Sequence, residues 1–288
     1  MKEIAPSIHI ETGFQGVTLG AINWPHGLLL IDAPSQTEDI RSWRAALLNL
    51  GGGIDRLLIY LDAHPDRTLG GRGMDCTVVA SEQTAEAFRN RPVNFKGYLS
   101  GTGADWENHP RLGNVRWSPP EITFTEQMLV YWDDSPMILE SHPGPAQGAI
   151  WAIFPEQKVI FVGDTIVADQ PPFLEDADIP RWLGQLDLLG SKRYQDFLLV
   201  SGRQGLVRQE HISSLKQFLR KVERGLEKLV RKEAPAEKTE SLIESLMSDF
   251  DVPKKSELLY QQRLQYGLYH YYSARFFPPS SGNPGEES

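Results

Sequence analysis

The feature that most limits how this 288-residue chain can fold is a rhythm that occurs twice: a group of strands, then a helix. In the first half "SIHIETG", "QGVTLGAIN" and "GLLLIDAP" are short apolar or alternating runs broken by turn residues, the pattern of hairpin-rich sheet. Ile40, Trp43, Leu47 and Leu48 then fall at helical spacing over residues 36–50, and the periodicity stops at the glycines 51–53. "DRLLIYL" and "CTVVAS" read as strands and "SEQTAEAFRN" as a helix with Ser81 at its N-cap. Beyond a loop rich in Gly, Asn and Pro at 97–120, sheet returns with "EITFTE", "MLVYW", "MILESH", "AIWAIFP" and "KVIFVGD". The helix "IPRWLGQLDLLG" and the strand "DFLLVSG" follow. A strand buries one face and a helix one stripe, so this order closes most simply by packing two sheets together with helices outside. The expected class is α/β (α+β): an αββα four-layer sandwich of two mixed β-sheets flanked by helices, with a C-terminal helical extension.

From His211 the character changes to charged amphipathic helix, beginning with "SLKQFLRKVERGLEKLVRK". The expected organisation is a domain over 1–210, a helical extension over 211–277 packed on it, and a disordered Pro-, Ser- and Gly-rich tail over 278–288. Tyr260, Leu264, Leu268 and Tyr271 or Tyr272 share one face of the last helix. Core packing is the first reading of that stripe; covering the mouth of a site and forming a homodimer face are the others.

A net charge of −9, from 38 acidic against 29 basic residues, supplies no general attraction to nucleic acid or to anionic membranes, so neither is an expected partner. A single cysteine, Cys76, rules out an intrachain disulfide, and its apolar context reads as a small buried hydrophobe. There is no run of about 18 apolar residues and no apolar stretch of a secretory signal near the start, so a cytoplasmic location is expected.

The chemistry concentrates in "IYLDAHPDRTLGGRG", residues 59–73. With three other stretches in order, "LLLIDAP", "HPGPAQGAIWAIFPEQKVIFVGD" and "LLVSGRQG", it resembles the metallo-β-lactamase fold superfamily over residues 8 to 210. The resemblance implies a HxHxDH loop, a later ligand histidine, a bridging aspartate and a terminal GHG turn, which together hold two metal ions. The matching positions here are Asp62, His64, Asp66 and Arg67 in the loop, then Pro145, Asp164 and Arg203. Of the five histidines implied, only His64 is present; Asp66 and Asp164 match, while Asp62, Arg67, Pro145 and Arg203 depart.

These departures matter physically. A catalytic zinc takes about three protein ligands with free lone pairs, and proline offers no side-chain lone pair. A guanidinium has donors only, is always protonated, and repels a divalent cation. Asp62, Asp66 and Asp164 converging without a cation would repel one another, and Arg67 and Arg203 are suited to neutralise them through forked hydrogen bonds. The expectation is therefore a salt-bridge cluster in place of a binuclear centre, in a non-catalytic binding or scaffold module. No cofactor is expected, or at most one weakly bound Zn, Fe or Mn on Asp62, His64 and Asp164. The other readings are a hydrolase of a thioester, lactone or phosphodiester with that reduced site, and a sensor taking an anionic small ligand on Arg67 and Arg203. A protein partner is the remaining possibility. No catalytic residue is assigned. Gly70 and Gly71 read as a tight turn, His142 as a surface or strand-end histidine, and His9, His26, His109, His211 and His270 carry no expected role.

Overall fold

A computed structural model describes residues 1–96, 101–108, 114–132 and 134–277. The expected tail over 278–288, His109 and part of the 97–120 loop lie outside the described residues.

The chain opens with a meander, β1 (Lys2–Ala5), β2 (Ile8–Glu11), β3 (Leu19–Trp24) and β4 (Gly27–Ile31), all antiparallel. Helix α1 (Thr37–Leu48) crosses over to β5 (Asp55–Ile59), parallel to β4. The short helices α2 (Pro65–Thr68) and α3 (Gly71–Met74) lead to β6 (Thr77–Ser81), parallel to β5. After α4 (Glu82–Arg89) come a two-stranded ribbon, β7 (Asn94–Lys96) and β8 (Asn114–Arg116), and then β9 (Ile122–Phe124), which completes the first sheet beside β6. The second sheet runs β10 (Gln127–Val130), β11 (Met137–Ser141), β12 (Ile150–Phe154), β13 (Val159–Gly163), β14 (Leu198–Ser201), β15 (Gly205–Val207). Its pairs are antiparallel except β13 with β14, joined by the crossover helix α5 (Ile179–Leu189). Both sheets are mixed. Helices α6 (Gln209–Val230), α7 (Ile243–Met247) and α8 (Glu257–Phe276) follow.

The layering is legible in single strands, because successive side chains point to opposite faces. In β4, Leu29 and Ile31 join the apolar layer between the sheets with Phe154 and Phe161, while Leu28 and Leu30 pack under α1 with Trp43. In β13, Val159 and Phe161 face the first sheet, and Ile160 and Val162 face Trp182, Phe218 and Leu268 of α5, α6 and α8. Strands buried on both faces read as unbroken apolar runs, which is why "GLLLI" and "VIFVG" do not alternate. The expected four-layer sandwich is therefore the observed one, and α6 and α8 complete its outer layer on the second sheet. Ser81 caps α4 as expected, its hydroxyl accepting from Thr84 N.

Two readings hold in part. His142 directly follows β11, the strand-end place expected of it, but it is buried rather than at the surface, stacked on Trp151 at 3.5 Å with its ring nitrogens on Gln185 and Glu140. Its flat, amphipathic ring fills a slot that a solvent-facing histidine would leave open. Gly70 has a φ of −85°, and Gly71 starts a helical turn, so neither requires left-handed backbone. What they supply is room: a Cβ at Gly70 would sit 1.8 Å from Pro34 O and one at Gly71 1.6 Å from the Tyr60 hydroxyl. Because the obstacle at Gly70 is backbone, Gly70→Ala is expected to cost about 3 kcal/mol, the upper end for overpacking, read as a loss in chemical-denaturation midpoint.

Candidate functional site

The site lies where β4, β5, β13 and β14 end, the carboxyl edge of the two parallel pairs and the usual place for function in sheets of this kind. Each strand delivers one charged group. Asp32 follows β4 in a left-handed conformation (φ 59°), fully buried, with Oδ1 accepting from Leu61 N at 3.0 Å. The segment after β5 carries Asp62, whose Oδ1 accepts from His64 N at 2.8 Å. His64 in turn caps α2, its Nδ1 accepting from Asp66 N at 3.2 Å, and Pro65 occupies the first helical position, where its missing N–H costs nothing. Asp164 follows β13, and Arg203 follows β14 through Gly202.

Arg67 and Arg203 lie among these acids, both side chains fully shielded from solvent. Arg67 donates to Asp164 Oδ1 through Nη2 and to Asp32 Oδ2 through Nη1 at 3.4 Å. Its Nε lies 3.1 Å from Asp62 Oδ1, an ion pair without a hydrogen bond. Arg203 grips Asp164 with Nε, at 3.1 and 3.0 Å from the two oxygens, and with Nη2 at 3.0 Å. Its Nη1 reaches Asp66 Oδ2 at 3.0 Å, Gly16 O at 3.1 Å and Asp105 Oδ2 at 3.4 Å. Asp164 thus bridges two guanidiniums, the position that the resemblance assigns to an aspartate bridging two metal ions.

Two members were not anticipated. Asp105 stands at the start of a helical turn (Asp105–Asn108) whose first N–H groups, Asp105 N and Trp106 N, are capped by Asp66 at 3.3 and 2.8 Å. Arg263 comes from α8. Fully buried, it donates to Asp105 Oδ2 at 3.0 Å, Gly103 O at 2.9 Å, Pro171 O at 3.1 Å and Gln170 Oε1 at 2.6 Å. Phe173 lies against both cations, 4.6 Å from Arg203 and 4.2 Å from Arg263, and 4.3 Å from the His64 ring. Asp105 carried no signal in the sequence. Arg263 did: it stands four residues from both Leu259 and Gly267, on the buried face of α8.

The electrostatics follow from burial and pairing. Burial pushes Asp164 up, but Arg203 and Arg67 together outweigh it and hold this carboxyl well below its ordinary range. Both guanidiniums are raised, since the surrounding acids more than offset burial. Burial lifts Asp62 and Asp66, and takes Asp32 up to about 7. His64 is driven well below 6.5, by burial first and then by Arg203. Its Nδ1 accepts from Asp66 N and faces Arg203 Nη2 at 3.4 Å, so the ring is neutral with its proton on Nε2.

Beside the network opens a cleft of about 630 Å³, with Asp62, His64, Pro145 and Asp164 in its floor and Tyr266, His270 and Ala274 of α8 at its rim. The aromatic helix therefore packs as core through Leu264, Leu268 and Tyr272 and also borders the mouth of the site. In the cleft wall Glu175 is raised by burial from 4.5 to about 7.

A pH dependence follows. Asp32 and Glu175 have folded values above their ordinary 3.8 and 4.5, so their stabilising contribution is complete below those values and is lost as pH rises through about 7. His64 acts oppositely, contributing above 6.5 and losing it as pH falls, but it is one group against Asp32 and Glu175, and the raised Asp62 and Asp66 act in their direction. Asp164 adds stability that disappears below about 3.8. The melting temperature is expected to peak between about pH 4 and 6 and to fall towards pH 8, as scanning calorimetry across that range would read. A curve climbing from about pH 5 to 8 contradicts this.

The site's donors do not fit a zinc centre. His64 offers a single imidazole, whose Nδ1 is taken up by Asp66 N; Asp62 and Asp164 are engaged by Arg67; Pro145 lines the cleft without a side-chain lone pair. Among the described residues no group of three or more His, Cys, Asp or Glu side chains is disposed to hold a metal ion.

No protein-family profile and no curated protein matches the chain. Solved structures do. The stereoselective inverting sec-alkylsulfatase Pisa1 from Pseudomonas sp. aligns with 98% of this chain at 16% identity and a TM-score of 0.67. The chain spans about half of that enzyme's length, 51%. The metallo-β-lactamase family protein TTHA1429 from Thermus thermophilus aligns over 95% of this chain and 94% of its own, at 15% identity and a TM-score of 0.66. A metallo-β-lactamase from Pontibacter korlensis aligns over 76% of this chain and 97% of its own, at 18% identity and a TM-score of 0.56. The chain has the metallo-β-lactamase fold. Among its described residues no helix is long and apolar enough to cross a membrane.

Proposed function

We propose that this chain is a non-catalytic form of its fold, a binding or scaffold module in which arginines do the charge-neutralising work of metal ions. The observation that carries this reading is Asp164, held simultaneously by Arg67 and Arg203 with both guanidiniums shielded from solvent. A hydrolase of the fold works with a metal-activated water; a donor set with a single imidazole and two interposed guanidiniums speaks against that route. The same pairing favours internal neutralisation over capture of an anion on Arg67 and Arg203. The cleft next to the network remains open for a small ligand, and its rim on α8 for a protein partner.

Elemental analysis of protein purified without metal-affinity resin tests the reading. Zinc, iron and manganese are each expected far below one ion per chain. A stoichiometric ion, removed by chelator with loss of a hydrolytic activity, would overturn the proposal in favour of a mononuclear hydrolase using Asp62, His64 and Asp164.

A further inference from the structure

Arg67 and Arg203 are charge-paired inside the network, whereas two ionisable groups in the cleft wall each keep a buried polar atom with neither an ion pair nor a hydrogen bond. Arg91, just beyond α4, lies over the rings of Phe88 and Trp117 at 5.2 and 4.9 Å, and its Nη1 is buried without a hydrogen-bond partner. Glu175, in the segment between β13 and α5, has its Oε2 buried without a partner. Both line the cleft. Leaving a buried donor or acceptor unmet costs about 1–3 kcal/mol, more when it is charged, so two such atoms of opposite character, carried by residues that line one cleft, are met most simply by a ligand that supplies both partners.

The two groups come from different halves of the sandwich, Arg91 from the side of the first sheet and Glu175 from that of the second. Arg91 is the only Lys or Arg among the described residues lining the cleft, which also carries the carboxyl groups of Asp62, Asp164, Glu175 and Asp176. A single cation with one unpartnered guanidinium nitrogen in such surroundings suits a monoanion and disfavours a phosphate dianion. Ionised Glu175 is a pure acceptor, and with Asp176 beside it the natural complement is an ammonium. Ala63, Phe95, Pro145 and Ala146 give the wall apolar surface for a carbon skeleton, and the volume is that of a small-molecule site.

We infer that the cleft binds a small amino-carboxylate, its carboxylate on Arg91 and its ammonium on Glu175. The inference rests on the reading of the site as a binding module. Calorimetric titration of the full chain with 4-aminobutyrate, 6-aminohexanoate and alanylalanine, against hexanoate and hexylamine as one-ended controls, tests it. At least one zwitterion is expected to bind about tenfold or more tighter than both controls. Arg91→Met is expected to abolish that advantage and Arg91→Lys to keep part of it. Glu175→Gln should bring the zwitterion to the level of hexanoate. Melting temperatures of the three variants report whether each still folds. Zwitterions that bind wild-type protein no better than the controls overturn the inference. Metal analysis of the same preparation separates the two ideas: stoichiometric zinc removes the binding-module reading, whereas metal-free protein indifferent to the zwitterions removes this inference alone.

Discussion

Arg203→Met is expected to lower the unfolding free energy by about 3–5 kcal/mol, the cost of stranding buried charges by removing their partner. For a chain of this size that is a fall of roughly 10 °C in melting temperature. The magnitude follows from what the guanidinium holds: Asp164 through three contacts, Asp66 and Asp105 through one each, and the carbonyl of Gly16. Methionine keeps the approximate length and contact with Phe173 while withdrawing every donor. The loss should shrink when Asp164→Asn accompanies the substitution, since one of the stranded charges is then gone. Equilibrium urea unfolding of the two single variants and the double variant closes the cycle. Strict additivity would mean that Arg203 and Asp164 do not neutralise each other.

The second large effect is a gain. Installing histidine at positions 62, 67, 145 and 203 together supplies lone pairs and removes both guanidiniums. The quadruple variant is expected to retain zinc near one ion per chain or more, and its melting temperature should become zinc-dependent. An ion at a thousand times its Kd adds about 4 kcal/mol to the folded state, enough to be seen without any assay of activity. Pro145→His alone should bind nothing, because Arg67 and Arg203 still occupy the space between the acids. A folded quadruple variant that ignores zinc would show that these four positions do not stand where the ligands of a metallo-β-lactamase stand.

Much of this is legible in the sequence. The paired strand-then-helix rhythm led to four layers because apolar bursts such as "GLLLI" and "VIFVG" need partners on both faces, and the layers observed on either side of β4 and β13 are those partners. Asp62, Asp66, Arg67, Asp164 and Arg203 come together as the resemblance implied, and His64 joins them as a helix cap with a neutral ring. Asp105 was invisible because it enters from a loop with no periodicity, and its partner Asp66 lies 39 residues away. The signal of Arg263 is masked by the aromatic stripe of α8, Tyr260, Leu264 and Leu268; an arginine in phase with Leu259 and Gly267 is nonetheless the mark of a buried ion pair. The glycine pair does stand at a tight turn, and its further purpose, clearance for Pro34 and Tyr60, depends on neighbours far from it in sequence.

The contribution of α8 to the network has a consequence for how the molecule is made. Synthesis proceeds from the N-terminus, so Asp32, Asp62, Asp66 and Asp105 all leave the ribosome long before Arg203, and Arg203 about sixty residues before Arg263. Until the final helix docks, Asp105 lacks one of its two guanidinium partners and Gly103 O its donor. The two sheets and α8 are thereby tied into a single cooperative unit, in which Arg263 is the last of these charged partners to be made.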